Sequence, residues 1–256
     1  ADVRMQLRLE ENLLAEYPRA RDLIRKSGIG SVVFNDHLPH GALAAGKRPP
    51  RLTGQALKSG RSPEAHLALL HKLHGMRDEV PGALAALAAE LRADGVILGS
   101  HDDASPDIRA RFRGIGARIA EFPETADTAA AAHDAGDAVI MGAPNVVRGG
   151  SHDKKVAAAE IIRAGHCDAL VSDYHYPTLR QAAFALADRG VLPFEAAWAL
   201  ISCRPAEVMG WADRGLLDTG LRADLVIVDR ATRKVAAPLS GGPVSSMAGP
   251  VTARFL

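Results

Sequence analysis

The sequence predicts an α/β fold with a parallel sheet, of the (β/α) barrel type, and three observations predict it. Short runs rich in Val, Ile and Leu alternate with Ala/Leu/Arg/Glu stretches of helical period, the pattern of a strand–helix–strand repeat. The strand runs are almost continuously apolar (VVF, VIL, AVIM, ALV), as strands covered on both faces must be. Each run also ends in a polar cluster: LRLE, FNDH, LGSHDD, AEFPE, MGAPN and VSDYHYP. In parallel sheets the chemistry gathers at the carboxyl ends of the strands, where the βα loops converge. Six successive strands ending this way favour a TIM-like barrel over a doubly wound sheet.

Taken in order, strands are expected near residues 3–10, 31–36, 95–100, 117–122, 137–142 and 168–173. Helices are expected over 64–76, 81–93, 105–113, 124–135, 156–164 and 178–189. After Trp198 the texture changes: a helical stretch over 194–209 gives way to ADLVIVD at 223–229 and a Gly/Pro/Ser-rich tail. The expected division is therefore a barrel portion over 1–210 and a small C-terminal β element over 211–256. The stretch 39–63, with Gly, Pro, Arg and Lys scattered through it, reads as a loop long enough to be a lid or a disordered segment.

Composition narrows the function. With 256 residues and 47% hydrophobic content, the chain can bury one large core with a small appendage. Its 31 Lys+Arg against 30 Asp+Glu argue against a general nucleic-acid binder, which needs excess positive charge to neutralise phosphates. Cys167 and Cys203 are too few and too far apart for a disulfide framework, so a reducing, cytoplasmic setting fits best. No apolar run is long enough for a transmembrane span, and no membrane partner is expected. The expected partner is a phosphorylated small molecule, and assembly as a homo-oligomer is left open.

Chemistry-bearing residues cluster at the strand ends. His101, Asp102 and Asp103 follow VILGS, and imidazole with carboxylate at a rigid strand end suits a divalent metal, whether zinc, iron or manganese. The alternative is that Asp102 or Asp103 caps the helix beginning near Ser105. Asp173, at the end of ALVSD, is the strongest single carboxylate, able to bind metal or take a proton. Its alternative is a helix cap or a loop turn. His37 has the same address after FND, against a loop histidine bonded to the next turn. Glu10 ends the first strand, and the alternative is that Glu10 and Glu11 open a helix and complement its dipole. The segment 142–155, GAPNVVRGGSHDKK, combines Gly149, Gly150, Ser151, Arg148, Lys154 and Lys155 in a loop suited to phosphate. A Gly-rich turn before a solvated basic helix start is the plainer reading. His66, His71 and His74 share one helix without an adjacent acid and read as surface or packing residues.

In the order SHDD, EFP, MGAPNVVRGGSH, SDYHYP and SCRPAEVMGWADRGLLDTGLRADLVIVD, the chain resembles the phosphonate-metabolism branch of the amidohydrolase superfamily. The last segment is generic to amidohydrolases, and MGAPNVVRGGSH selects the branch. The resemblance implies a distorted TIM barrel, a divalent metal centre at its C-terminal mouth, and hydrolysis of a ribosyl phosphonate triphosphate to the 5-phosphate and pyrophosphate. It also implies His101, Asp173, Glu10 and His37 as metal or water-activating residues, with Asp173 catalytic. Arg8, Asn145, Arg148, Ser151 and His152 become the implied substrate contacts. Two rivals stand beside this expectation: C–N hydrolysis of a cyclic amide or amine on the same barrel, and a non-catalytic incomplete homologue. The superfamily's His-x-His motif does not occur in the chain, and Gln6 stands where a histidine is expected. The visible strands fit barrel strands three to eight, so the first two, and part of the small sandwich domain, are expected to be missing. The start at Ala1 fits a piece of a longer protein.

Overall fold

The computed structural model describes residues 3–150, 155–248 and Thr252. The chain divides into two compact units, Arg4–Asp137 and the residues from Ala138 onward.

The first unit contains β1 (Gln6–Glu10), α1 (Tyr17–Ser27), β2 (Ser31–Asn35), α2 (His40–Ala44), α3 (Leu52–Lys58), α4 (Pro63–Gly75), α5 (Val80–Ala93), β3 (Ile97–His101), α6 (Pro106–Gly114), β4 (Ile119–Glu121) and α7 (Ala126–Asp134). Its four strands run parallel in the order β1-β2-β3-β4. Side chains alternate across a strand, so one parity faces the helices and the other faces away. Leu9, Val32, Phe34 and Leu98 are the helix-facing set, packed with Ile24 of α1, Leu84, Leu87 and Leu91 of α5, and Phe112 of α6. The opposite parity is crowded too: a Cβ added to Gly99 would stand 3.1 Å from both Cβ and the carbonyl oxygen of Ile119. Both faces of the central strands are thus filled, and all five residues of β2 are buried.

Helix starts follow local chemistry. Ser62, Ser105 and Thr125 each accept a backbone N–H from the first turn of α4, α6 and α7, and Pro63 and Pro106 sit where no N–H is needed. Ser105, not Asp102 or Asp103, therefore caps the helix after β3. Nor do Glu10 and Glu11 open a helix: Glu10 ends β1, and Glu11 is buried with Arg111 paired to both of its oxygens at 3.0 and 3.1 Å. Burial pushes the Glu11 carboxyl up, and Arg111 pulls it back.

The stretch 39–63 is not a loop. It contains α2 and α3, whose Leu43 and Leu52 pack with Leu70 of α4 in a small core of their own. Its scattered Gly and Lys conceal two short helices that hold by burial rather than by propensity.

In the second unit β5 (Ala138–Gly142) is followed at once by α8 (Ala143–Arg148), then α9 (Ala158–Arg163), β6 (Ala169–Val171), α10 (Thr178–Asp188), α11 (Phe194–Ala199), α12 (Cys203–Val208) and an antiparallel pair, β7 (Leu225–Val228) with β8 (Val235–Leu239). β5 and β6 are parallel, and Asp168 joins their starts by accepting the Val139 N–H at 2.8 Å. Residues 143–148, expected as a phosphate loop, are helical: Pro144 lies in the first turn, and Gly149, at φ 82°, ends the helix in the left-handed conformation. The helix expected over 194–209 is two, because Pro205 lacks an N–H and its ring would clash with a continuing helix. Among the described residues no helix is long and apolar enough to cross a membrane.

One buried side chain ties the first unit together at β3 and β4. Arg109 of α6, 2% exposed, donates from Nη1 to Ser100 Oγ at 2.6 Å, to Asp103 Oδ2 at 3.1 Å and to the Ile119 carbonyl at 3.1 Å. Its Nη2 donates to the Ala117 carbonyl at 2.6 Å, and Nε lies 3.6 Å from Asp137. Burial, the larger influence on both groups, pushes the Asp103 carboxyl up and the Arg109 guanidinium down, while their contact pulls each the other way. Removing one partner of such a pair leaves the other charge buried alone, which costs about 3–5 kcal/mol. Arg109→Met is therefore expected to lose about that much in urea unfolding at neutral pH. An unpaired Asp103 would have a folded-state pKa raised further above its unfolded value. The deficit should thus be smallest below about pH 4 and grow as pH rises through the raised pKa.

Candidate metal centre

The strand register brings four polar side chains into one row. Glu10 pairs with Asn35, Phe34 with Ser100 so that Asn35 and His101 are next in register, and His101 with Glu121. All four have the parity that faces away from the helices, and all stand at the carboxyl ends of β1 to β4. Asn35, His101 and Glu121 are buried, so the row is a partly dry rim. Arg8, one step back along β1, reaches Glu121 Oε2 at 2.9 Å.

Around this row, His37, His101 and Asp102 each present a ligand atom, and the three atoms lie within 4.8 Å of one another. Each imidazole is aimed by a carboxylate. His101 Nδ1 donates to Glu121 Oε2 at 2.9 Å, and His37 Nδ1 donates to Glu10 Oε1 at 2.6 Å. An ionised carboxylate can only accept, so Nδ1 carries the proton in both rings and Nε2 of each is left with a free lone pair. Asn35 Nδ2 also lies 2.9 Å from His37 Nδ1, but both nitrogens point their protons at the carboxylate, and the amide donates to Glu10 Oε1 at 2.5 Å. Carboxylates behind ligand histidines fix tautomer and ring direction and raise basicity.

Asp102 joins the cluster through an unusual backbone. It is left-handed at φ 58°, donates its N–H to the Glu121 carbonyl at 3.0 Å, and holds Oδ2 3.6 Å from His101 Nε2. Phe122, left-handed at φ 59° directly after β4, lies against the same imidazole, the rings tilted by 60° with centroids 5.1 Å apart. A bulky residue rarely adopts this conformation, and such strain gathers where geometry is demanded by function. Two imidazole nitrogens and a carboxylate oxygen, with Glu10 and Glu121 behind them, form a donor set that fits a divalent cation.

The other expected residues divide into three groups. Glu10 lies beside the donor cluster rather than in it, because Oε1 is held by His37 and Asn35 while Oε2 accepts the His37 N–H at 3.1 Å. Asp173, Asn145 and Arg148 belong to the second unit. Asp173 is exposed just past β6 at φ 50°; the helix that follows is capped at Pro177, so Asp173 makes a turn instead. Asn145 Oδ1 accepts the Ala158 N–H at 3.0 Å, which joins α8 to the start of α9 rather than leaving that oxygen open to a ligand. Arg148 pairs with the Tyr174 hydroxyl. Ser151 and His152 lie outside the described residues. Glu121 and Asn35 were not among the expected site residues, whereas Asp102, expected either as a ligand or as a helix cap, stands in the donor cluster. Glu121 had the available signal, since it ends an apolar run as Glu10 does.

No family model matches the chain. Alpha-D-ribose 1-methylphosphonate 5-triphosphate diphosphatase of Escherichia coli (strain K12) is 36% identical over 240 residues, covering 90% of this chain and 61% of that protein. The chain thus spans about three fifths of the length of the curated relative it matches. Among solved structures, ochratoxinase of A. niger superposes with a TM-score of 0.59 at 15% identity, over 92% of this chain and 55% of that one. N-acetylglucosamine-6-phosphate deacetylase from Pasteurella multocida gives 0.58 at 10% identity, over 96% and 68%. Beta-aspartyl dipeptidase from Fervidobacterium islandicum AW-1 gives 0.53 at 15% identity, over 90% and 79%. These structures share the chain's α/β fold, and the fold class read from the sequence is theirs. The resemblance to the phosphonate-metabolism branch of the amidohydrolase superfamily is borne out as a likeness to the Escherichia coli diphosphatase over about three fifths of its length.

Glu121→Gln is expected to weaken divalent-metal affinity by about 10–100-fold, the usual cost of losing an outer-shell carboxylate. Glu10→Gln should do the same through His37. Asp36→Asn, whose parent carboxylate is taken by Asn12, His40 and the Leu38 N–H, should leave the affinity unchanged. Competition against a chromogenic chelator reads all three.

Proposed function

We propose that this chain carries the metal-binding strands of a hydrolase that cleaves alpha-D-ribose 1-methylphosphonate 5-triphosphate to the 5-phosphate and pyrophosphate. What carries the reading is the His37–His101–Asp102 donor set in a chain 36% identical to a diphosphatase of that name. The donor types suit zinc first, with iron or manganese as alternatives. A divalent cation bound there supplies Lewis acidity toward a phosphoryl oxygen and lowers the pKa of water.

The remaining work falls to the chain's own side chains. Glu10 and Glu121 hold the two imidazoles with Nε2 outward, so no reorganisation is needed when the substrate arrives. Arg8 spends one contact on Glu121, is 42% exposed at its side chain, and keeps further N–H donors for a phosphate oxygen. Arg148 offers the same fork on the second unit, steadied by Tyr174. Asp173 is assigned the proton: an exposed carboxylate at a strand end takes one from the attacking water, while the bridging oxygen leaves with the pyrophosphate. A cytoplasmic setting, which suits two free cysteines, and a phosphorylated small molecule as partner, without nucleic acid or membrane, complete the proposal.

Pyrophosphate release from the ribosyl triphosphate by the metal-loaded protein tests the reading; ammonia or a ring-opened amide from C–N substrates, without pyrophosphate, would contradict it. Asp173→Asn should lower kcat by about 10²–10⁴-fold, the usual contribution of a general base, with no change in thermal midpoint. Unaltered turnover in that variant would remove Asp173 from the mechanism. Arg148→Ala should raise KM if the guanidinium only binds phosphate, and lower kcat if it acts on the transition state.

A further inference from the structure

The helices α3 and α4 stand over the ends of β1 and β2 and leave a cavity of about 200 Å³ beside the candidate metal centre. Its floor is Glu10 and His37, its polar roof is Gln55 and His66, and Leu70 and Leu73 form an apolar wall. Three features of this cavity together select a ligand class.

The first is size. Pockets that enclose a whole drug-sized ligand run to roughly 300–1,000 Å³, so this one takes a single ring of a larger molecule. The second is charge. Among the described residues lining the cavity there is no Lys or Arg, and the one charged side chain of fixed sign is Glu10. A cation at the neighbouring donor cluster has its charge already answered by Glu10, Glu121 and Asp102, so a polyphosphate or phosphonate would meet a carboxylate in the cavity with no lining cation of its own to pair with. The third is an unmet hydrogen bond. Among the described residues His66 Nδ1 has no partner, a state that normally costs about 1–3 kcal/mol. Glu10 accepts, the Gln55 amide both donates and accepts, and His66 does either according to its tautomer. Hydroxyls also do both, and the C–H face of a furanose or pyranose suits the leucine wall.

We infer that the cavity under α3 and α4 is a subsite for an uncharged, hydroxyl-bearing ring, a single sugar unit, and that it holds the ribosyl part of the substrate while excluding its anionic ends. The inference rests on the proposed function for the identity of that sugar. The subsite itself rests on the lining residues. The segment 39–63 is then a specificity element rather than a lid over the whole site.

The test uses two probes and the metal-loaded protein with ¹³C-labelled histidine. Methyl β-D-ribofuranoside, which is uncharged, is expected to shift the His66 ring signals in a saturable way, and inorganic tripolyphosphate is expected not to displace it. His66→Leu should weaken riboside binding about tenfold, equivalent to one hydrogen bond. Gln55→Leu, at an exposed position of α3, serves as the second variant should the first fail to fold. In turnover, either variant should lower about tenfold the ratio of kcat/KM for the ribosyl triphosphate to kcat/KM for tripolyphosphate. A riboside that leaves the His66 signals in place, or is displaced by tripolyphosphate, overturns the subsite. The titration needs no catalysis, so a protein that binds riboside there yet releases no pyrophosphate would sink the proposed reaction and leave the subsite standing.

Discussion

Everything at the candidate metal centre depends on sending two consecutive aspartates in opposite directions. After β3 ends at His101, Asp102 takes a left-handed backbone and faces the imidazoles, while Asp103 turns into the protein and meets Arg109. That reversal is stable only because Arg109 answers the buried charge and, at the same time, closes on carbonyls at Ala117 and Ile119. A guanidinium presents its donors in a fixed plane, so fixing Asp103, Ser100 and the start of β4 fixes the turn as a rigid piece. The strain at Asp102 and Phe122 is thus held by a cluster that lies one layer deeper, where replacing any partner would strand a charge.

Above that layer the electrostatics run in one direction. Glu10, Glu121 and Asp102 bring three carboxylates to the rim of β1 to β4, against one nearby guanidinium, Arg8, and two imidazoles. Like charges this close repel unless a cation lies among them, so the row is more comfortable with a divalent ion than without one. The flanking cavity, with no Lys or Arg among its described lining residues, is unsuited to phosphate. That leaves Arg8 and Arg148 as the candidate side chains for the anionic parts of a substrate, and the strand-end row for the metal.

The strands were legible because a parallel strand buried on both faces must be continuously apolar, and β2, with all its residues buried, is the plainest case. His101 and His37 were legible for a related reason: a polar residue that ends such a run is at the sheet's chemical edge. What was not legible followed from long-range pairing. Nothing in the local sequence says that Glu121 will stand beside His101, since that neighbour is set by the β3–β4 register. Glu10 was read as a ligand, and only distances reveal that both its oxygens accept from His37. The helices of 39–63 were concealed because their stability comes from Leu43, Leu52 and Leu70 meeting one another, and 143–148 because glycines flanking a short helix look like a phosphate loop.

The central claim is that two histidines and an aspartate of the first unit hold a divalent metal through imidazole Nε2 and a carboxylate oxygen. X-ray absorption at the metal edge of the loaded protein tests it most directly. The account predicts the multiple-scattering signature of two imidazoles, reduced to one in His37→Ala and likewise in His101→Ala. Bound metal with no imidazole scattering, or a spectrum that neither substitution alters, would contradict it.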